Sequence, residues 1–394
     1  MAKGLWQPPR LRIGEENEKE RRATWLELFY DLVFVVAIAE LAHNLEGHVS
    51  LSGFFGFVAL FVPIWWCWVG ATFYATRFDT DDLGHRLLTL VQMAIIAALA
   101  VNVHHGLGES SVGFALSYAA VRGILIIQYL VAGYHVVAAR SLTTWYATGF
   151  SISAILWLIS VFVPVPLRFG LWALGLVVDF TTPLTAGRLV AQIPPSMSHV
   201  SERIGLFTII VLGESIMAVV RGVTEQKWDT SSVLVALLGL SIAFSLWWIY
   251  FDSVDGSPLR AMKAGRMGIA LIWLYGHLPL AIGLAATGVG VELMVSSETD
   301  LSEAARWLLC GSVALCLSVL ALLHLITCTL GTTRRRKILS AYRLGSAGFI
   351  LVLAAAGSRL SPVVLIALVA VACAVQVVLA QLLTRQPRPD SSCS

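Results

Sequence analysis

Between Leu26 and Leu383 the chain is a succession of long apolar runs, each near the ~20 residues needed to cross a bilayer and separated by short polar connectors. Hydrocarbon supplies no water to backbone N–H and C=O groups, so a spanning segment must be a helix or a strand of a closed barrel. The runs show none of the alternation that a barrel strand requires, which leaves helices. Only 13% of the residues are charged and 57% are hydrophobic, against roughly 25% charged in a soluble domain. The expected fold is an all-α polytopic membrane protein with twelve spans: 26–44, 52–75, 86–106, 110–138, 145–164, 168–190, 203–221, 232–251, 266–294, 304–328, 339–358 and 361–383. Pro164 and Pro166 mark the turn between the fifth and sixth, and Pro194-Pro195 the break before the seventh.

Basic residues set the expected orientation. Connectors on the amino-terminal side hold most of the 27 Lys and Arg, including Arg77, Arg86, Arg140, Arg203, Arg260 and the run Arg334-Arg335-Arg336-Lys337. The opposite loops hold only Arg168, Arg221, Lys227, Arg306 and Arg359. This bias places both termini in the cytoplasm. Residues 1–23 are polar and mixed in charge, with no apolar core of the signal-peptide kind. The net charge of +3 thus follows from topology and gives no reason to expect nucleic-acid binding. Cys67, Cys310, Cys316, Cys328 and Cys373 fall within spans and Cys393 in the tail, without CxxC spacing, so neither a disulfide framework nor a thiolate zinc site is indicated. The chain contains no phosphate-binding loop, nucleophile elbow, His-Glu-x-x-His or dinucleotide fingerprint, and no cofactor is expected.

Polar landmarks recur in the two halves. Glu27 opens the first span and Phe78-Asp79-Thr80-Asp81-Asp82 closes the second; Glu202 opens the seventh and Phe251-Asp252-Ser253-Val254-Asp255 closes the eighth, at nearly the same separation. The expected organisation is a segment 1–23, a six-helix repeat 24–190, a second repeat 191–383 in parallel orientation, and a tail 384–394.

Ionisable side chains at bilayer depth cost about 2.5–3.5 kcal/mol each on insertion scales and mark either function or a buried partner. Thr24-x-x-Glu27 matches a capping box that satisfies free N–H groups of a first helical turn. Asp31 shares a face with Glu27 at i, i+4 but lies too deep to cap, so it either pairs with an inner-end arginine such as Arg203 or Arg86 or serves conduction. Glu214, between Gly213 and Ser215, suggests a polar spot amid close helix packing, and Asp179 precedes the helix-kinking Pro183. Arg122, His135, His277 and His324 complete the intramembrane set, with single histidines expected to be hydrogen-bonded packing residues. Glu40, His43, His104 and His105 could hold a divalent cation. Trp65, Trp66, Trp68, Trp247 and Trp248 are read as packing.

The stretches Glu27-Leu28-Phe29-Tyr30-Asp31-Leu32-Val33-Phe34, Tyr74-Ala75-Thr76-Arg77-Phe78-Asp79-Thr80-Asp81-Asp82 and Ser201-Glu202-Arg203, continuing to Gly213-Glu214-Ser215, together resemble the bacterial low temperature requirement A family. Trp248-Ile249-Tyr250-Phe251-Asp252 and Tyr275-Gly276-His277 resemble its later motifs, and the likeness runs over about residues 21–380. It implies a multi-pass protein of the bacterial inner membrane with no settled biochemical activity. Phe29 to Ile38 is also similar to the first helix of the six-span-repeat potassium and proton channels marked by Phe-Ser-Asp, with Tyr30 in place of the serine.

Three functions remain open. A cation or proton channel or secondary transporter would use Asp31, Glu40, Asp179, Glu214 and His277 along its path, with Val36 or Ile38 as an apolar constriction. An intramembrane enzyme acting on a lipid or isoprenoid would use carboxylates and histidines as acid, base or metal ligands. A non-catalytic scaffold for stress adaptation would use every buried charge for packing. Expected partners are membrane lipids and H⁺ or a monovalent cation, with a homo-oligomer allowed.

Overall fold

The computed structural model describes residues 7–11, 23–79, 82–225, 230–260, 267–296, 301–327 and 332–384. Asp81, Cys328, Cys393, the tail 385–394 and most of the 1–23 segment therefore lie outside the described residues, as does the side chain of Asp79.

Twelve long helices follow the twelve apolar runs: α1 (Trp25–Gly47), α2 (Leu51–Arg77), α3 (Leu83–Val101), α4 (Ser111–His135), α5 (Arg140–Ser160), α6 (Leu167–Thr185), α8 (Met197–Glu225), α9 (Thr230–Ser253), α11 (Met267–Ser296), α12 (Glu303–Ile326), α13 (Thr333–Ala356) and α14 (Pro362–Thr384). Two short helices, α7 (Gly187–Gln192) and α10 (Ser257–Arg260), occupy connectors. Eleven of the long helices are long and apolar enough to cross a membrane; α1 is the twelfth, 23 residues long, and carries Glu27, Asp31, Glu40 and Glu46. The third span ends at Val101 rather than 106, because turns occupy Asn102 to Ser110.

Local chemistry explains the helix starts. The Thr24 hydroxyl accepts from Glu27 N at 3.2 Å while the Glu27 carboxylate accepts from Thr24 N at 2.7 Å, a reciprocal capping box at the head of α1. Asp82, Ser302 and Thr332 cap α3, α12 and α13 by accepting from the N–H three residues on. A feature with no periodic signal is the pairing of β1 (Arg10–Leu11) with β2 (Phe78–Asp79), antiparallel, with Arg10 opposite Asp79. Gln7 N donates to the Asp82 carboxylate beside it.

Packing divides the chain into two compact units. The first comprises Met1–Leu41, Ala59–Arg203 and Met262–Met267; the second comprises Ala42–Val58, Ile204–Ala261 and Gly268–Ser394. In the first, α3, α4, α5 and α6 pack each on the next, as short connectors require. In the second, α12 packs on α13, α13 on α14, and α9 on both α12 and α14. Leucines and valines such as Leu32, Val36, Leu90, Leu130, Val177 and Val352 remain exposed, as a surface meeting lipid requires. Val36 is exposed whereas Ile38 is buried.

One end of the second unit gathers arginines from the first three turns of α13. Arg343 Nη2 donates to Ser253 Oγ at 2.6 Å and its Nη1 to Leu320 O at 3.3 Å. Arg336 donates to Thr327 O and, at 3.1 Å, to Thr333 Oγ1. Arg335 reaches Ala380 O at 3.2 Å, and Gln381 donates to Asp252 at 2.9 Å. The carboxyl-terminal ends of α9, α12 and α14 therefore surround the first turns of α13.

Neighbouring helices approach closely along α11. A Cβ on Gly290 would lie 2.7 Å from Leu309 Cα, and one on Gly288 would lie 3.0 Å from Ser215 Cα. Gly213 has open space around it, so the close packing expected at that glycine occurs two residues on, where Ser215 meets Gly288. Gly290→Ala should lower the unfolding midpoint of the purified protein, by roughly 1–3 kcal/mol of overpacking. Gly268→Ala, on the same helix with nothing within 4 Å, should leave the midpoint unchanged or slightly raised.

Candidate functional site

The charged residues predicted at bilayer depth form three clusters, each inside one unit. The first joins α1, α2 and the start of α8. Asp31, 1% exposed, accepts from Arg203 Nη2 at 2.6 Å and from Trp68 Nε1 at 2.8 Å through the same oxygen. Of the two arginines expected as partners of Asp31, Arg203 is the one that pairs with it. Glu27 lies 3.6 Å from Arg203 Nη1 and 3.3 Å from His199 Nε2. Glu27 and Asp31 are one turn apart, as are His199 and Arg203, so two acidic rungs on one helix face two basic rungs on another. Glu202 accepts from Ala23 N at 3.3 Å, which ties the same turn of α8 to the chain entering α1. Asp31 Oδ2 and the buried Tyr30 hydroxyl have no hydrogen-bond partner. Phe29 is exposed.

The second cluster lies among α4, α5 and α6. Asp179 Oδ2 accepts from Tyr118 at 2.5 Å and from Ser153 at 2.8 Å, and stands 3.2 Å from Arg122 Nη2. Arg122 also donates to the Tyr118 oxygen from Nε at 3.1 Å and Nη2 at 3.0 Å. Tyr118 therefore accepts from the guanidinium and donates to the carboxylate. Arg122 lies over the rings of Phe150 and Tyr118, at 5.1 and 5.2 Å, while Trp157 stacks on Trp172 at 4.6 Å. Both ionic partners are fully buried, and Asp179 Oδ1 and Arg122 Nη1 remain without hydrogen bonds. Gly70 of α2 makes the room, since a Cβ there would lie 2.9 Å from Arg122 Nη1. Tyr30 stands within electrostatic reach of Arg203 and Arg122 alike.

The third cluster, in the second unit, was only half visible in the sequence. Arg221 belongs to helix α8, not to an outer loop as expected, because its guanidinium has partners on the helices themselves. Nη2 donates to Glu214 Oε1 at 2.6 Å, while Nε and Nη2 grip Glu292 at 2.9 and 3.0 Å. Glu214 is 3% exposed and Glu292 1%, whereas the Arg221 side chain is 29% exposed. Two carboxylates share one guanidinium. Glu292 was missed, although it is the sole acid within the glycine-rich run Gly288-Val289-Gly290-Val291-Glu292, and its isolation there was the available signal.

The remaining expectations resolve separately. His277 is a buried hydrogen-bonded residue, between Tyr250 OH at 3.1 Å and Trp273 O at 2.6 Å. Glu40 is partly buried on α1. The metal set of Glu40, His43, His104 and His105 is corrected: among the described residues no three His, Cys, Asp or Glu side chains converge on a metal position. His43 lies against Glu46 at 3.3 Å, and the rings of His104 and His105 rest against each other at 4.5 Å in the turn after α3. Asp82 is a helix cap, and Asp252, exposed, accepts from Trp248 at 2.8 Å.

Removing one member of a buried pair leaves the other charge without compensation, at a cost of about 3–5 kcal/mol. Arg203→Gln should accordingly lower the unfolding midpoint sharply, and adding Asp31→Asn should restore much of it. A double variant as unstable as the sum of both single changes would contradict a direct pair.

No solved structure matches the chain. An uncharacterized protein of Rhizobium meliloti (strain 1021) is 29% identical over 305 residues, covering 73% of each chain. Residues 22–382 match the family described as bacterial low temperature requirement A protein (LtrA). That match takes in all twelve long helices and the three arginine–carboxylate clusters, and the chain belongs to the low temperature requirement A family.

Proposed function

We propose that the protein conducts or transports protons or a monovalent cation across the bacterial inner membrane, with both termini cytoplasmic. The observation that carries this reading is the Glu214–Arg221–Glu292 cluster. Asp179 has Arg122 to itself, and Asp31 and Glu27 face Arg203 and His199, so in these two clusters each carboxylate has a basic side chain opposite it. Glu214 and Glu292 share one guanidinium, and with both ionised the cluster carries one negative charge in excess. Such an excess inside an apolar protein is relieved by a bound cation or proton. The partial exposure of Arg221 gives that site access from outside the packed core. Within the second unit, Glu46 also stands within electrostatic reach of Glu292 and reinforces the local negative field.

A second reading has its own support: every one of the three clusters contains an arginine, as a non-catalytic scaffold held together by internal ion pairs would. The two readings separate on flux. Protein reconstituted in liposomes should pass H⁺ or a monovalent cation, and Glu292→Gln should change that flux by roughly tenfold or more, equivalent to about 1.4 kcal/mol on the barrier. Vesicles that stay tight across a panel of monovalent cations and pH gradients, with Glu292→Gln altering yield alone, would favour the scaffold.

A further inference from the structure

The buried charges described so far are carboxylates with arginines to answer them. The end of the second unit where α13 begins presents the reverse situation. Arg343 is 1% exposed and Arg336 9%, and among the described residues neither has a carboxylate within ion-pair distance. Both donate only to neutral oxygens. His324, 3% exposed, stands within electrostatic reach of Arg335, Arg336 and Arg343. Its Nδ1 and Arg336 Nε are buried with no hydrogen-bond partner. Asp252 is the carboxylate within reach, and it acts on Arg335 and Arg343 from an exposed position.

Helix ends supply some compensation. Each carboxyl-terminal end contributes roughly half a negative charge and the start of α13 roughly half a positive one. The ends of α9, α12 and α14 thus cancel about one of the two charges on Arg336 and Arg343. About one positive charge is left in a buried place that also offers unfilled nitrogen positions. A guanidinium fork beside the first turn of a helix, as at Arg336, matches the geometry of phosphate oxygens, and Arg343 lies two turns further along the same face of α13.

We propose that Arg336 and Arg343, with His324 beside them, form a binding site for a phosphate-bearing monoanion, the chemistry shared by the headgroup of an anionic phospholipid and by free inorganic phosphate. The site stands independently of any transport activity, since it shares no residue with the Glu214–Arg221–Glu292 cluster.

The test uses delipidated full-length protein in neutral detergent, with native mass spectrometry and thermal unfolding as readouts. Phosphatidylglycerol should be retained and should raise the unfolding midpoint saturably, where phosphatidylcholine does not. Arg336→Gln and Arg343→Gln should each weaken that binding on the order of tenfold, about 1.4 kcal/mol. Arg359→Gln, an exposed arginine beyond the other end of α13, should not. A saturable response to millimolar inorganic phosphate that competes with phosphatidylglycerol and is lost in the same two variants identifies free phosphate as a ligand of the site. If Arg336→Gln fails to fold, Arg336→Lys, which keeps the charge and loses the fork, should bind phosphatidylglycerol measurably more weakly than wild type. Equal retention of the two lipids with no response to phosphate, or folded arginine variants that bind as wild type does, overturns the proposal.

Discussion

A charge taken out of water must find its counter-charge inside the protein, and in this molecule the pairing of arginine with carboxylate across neighbouring helices meets that demand. The backbone poses no such problem, because each helix satisfies its own hydrogen bonds. What distinguishes one packing of apolar helices from another is therefore the polar minority. Asp31 reaches across to Arg203, Asp179 to Arg122, and Glu292 to Arg221. Each contact joins helices that are distant in sequence, and each forbids the rotations and slides that would leave the apolar surface equally well covered.

These pairings also grade the carboxylates. The Asp179 cluster is closed on itself, with Tyr118 accepting two hydrogen bonds from Arg122 and donating one to Asp179, and aromatic rings packed around it. The Asp31 cluster is a ladder that fastens the head of α1 to α8 and is capped by Thr24. The Glu214 cluster sets two carboxylates against one basic side chain, and its arginine alone among the three has substantial exposure. The proposed transport needs a group whose charge state can change without unfolding the helices around it, a need the third cluster suits better than the first two.

Much of this was legible from the residues. All twelve helices follow the apolar runs, because an ~20-residue hydrophobic stretch has one structural solution in lipid. The depth of Asp31 called for an arginine partner while leaving Arg203 and Arg86 both open, and the Thr24–Glu27 cap was accessible because capping rules are local. Partnerships between distant residues were not: nothing in spacing joins Arg122 to Asp179 or Arg221 to Glu292. Arg221 was misplaced in a loop because hydropathy falls where it stands, although α8 continues past it to keep its guanidinium on its partners. The pairing of Arg10–Leu11 with Phe78–Asp79 is two residues long and leaves no periodic trace. The histidine and glutamate set failed as a metal site because residue types alone do not bring side chains together.

Glu214 and Glu292 share a single guanidinium, and the proposed transport needs this pair to exchange a proton. Infrared difference spectroscopy of the reconstituted protein during a pH change tests it directly. The account predicts a carboxyl C=O band that responds to pH and disappears in both Glu214→Gln and Glu292→Gln, while Asp179→Asn leaves it in place. A pH-responsive band that survives either glutamine substitution, or none at all in folded wild-type protein, would contradict it.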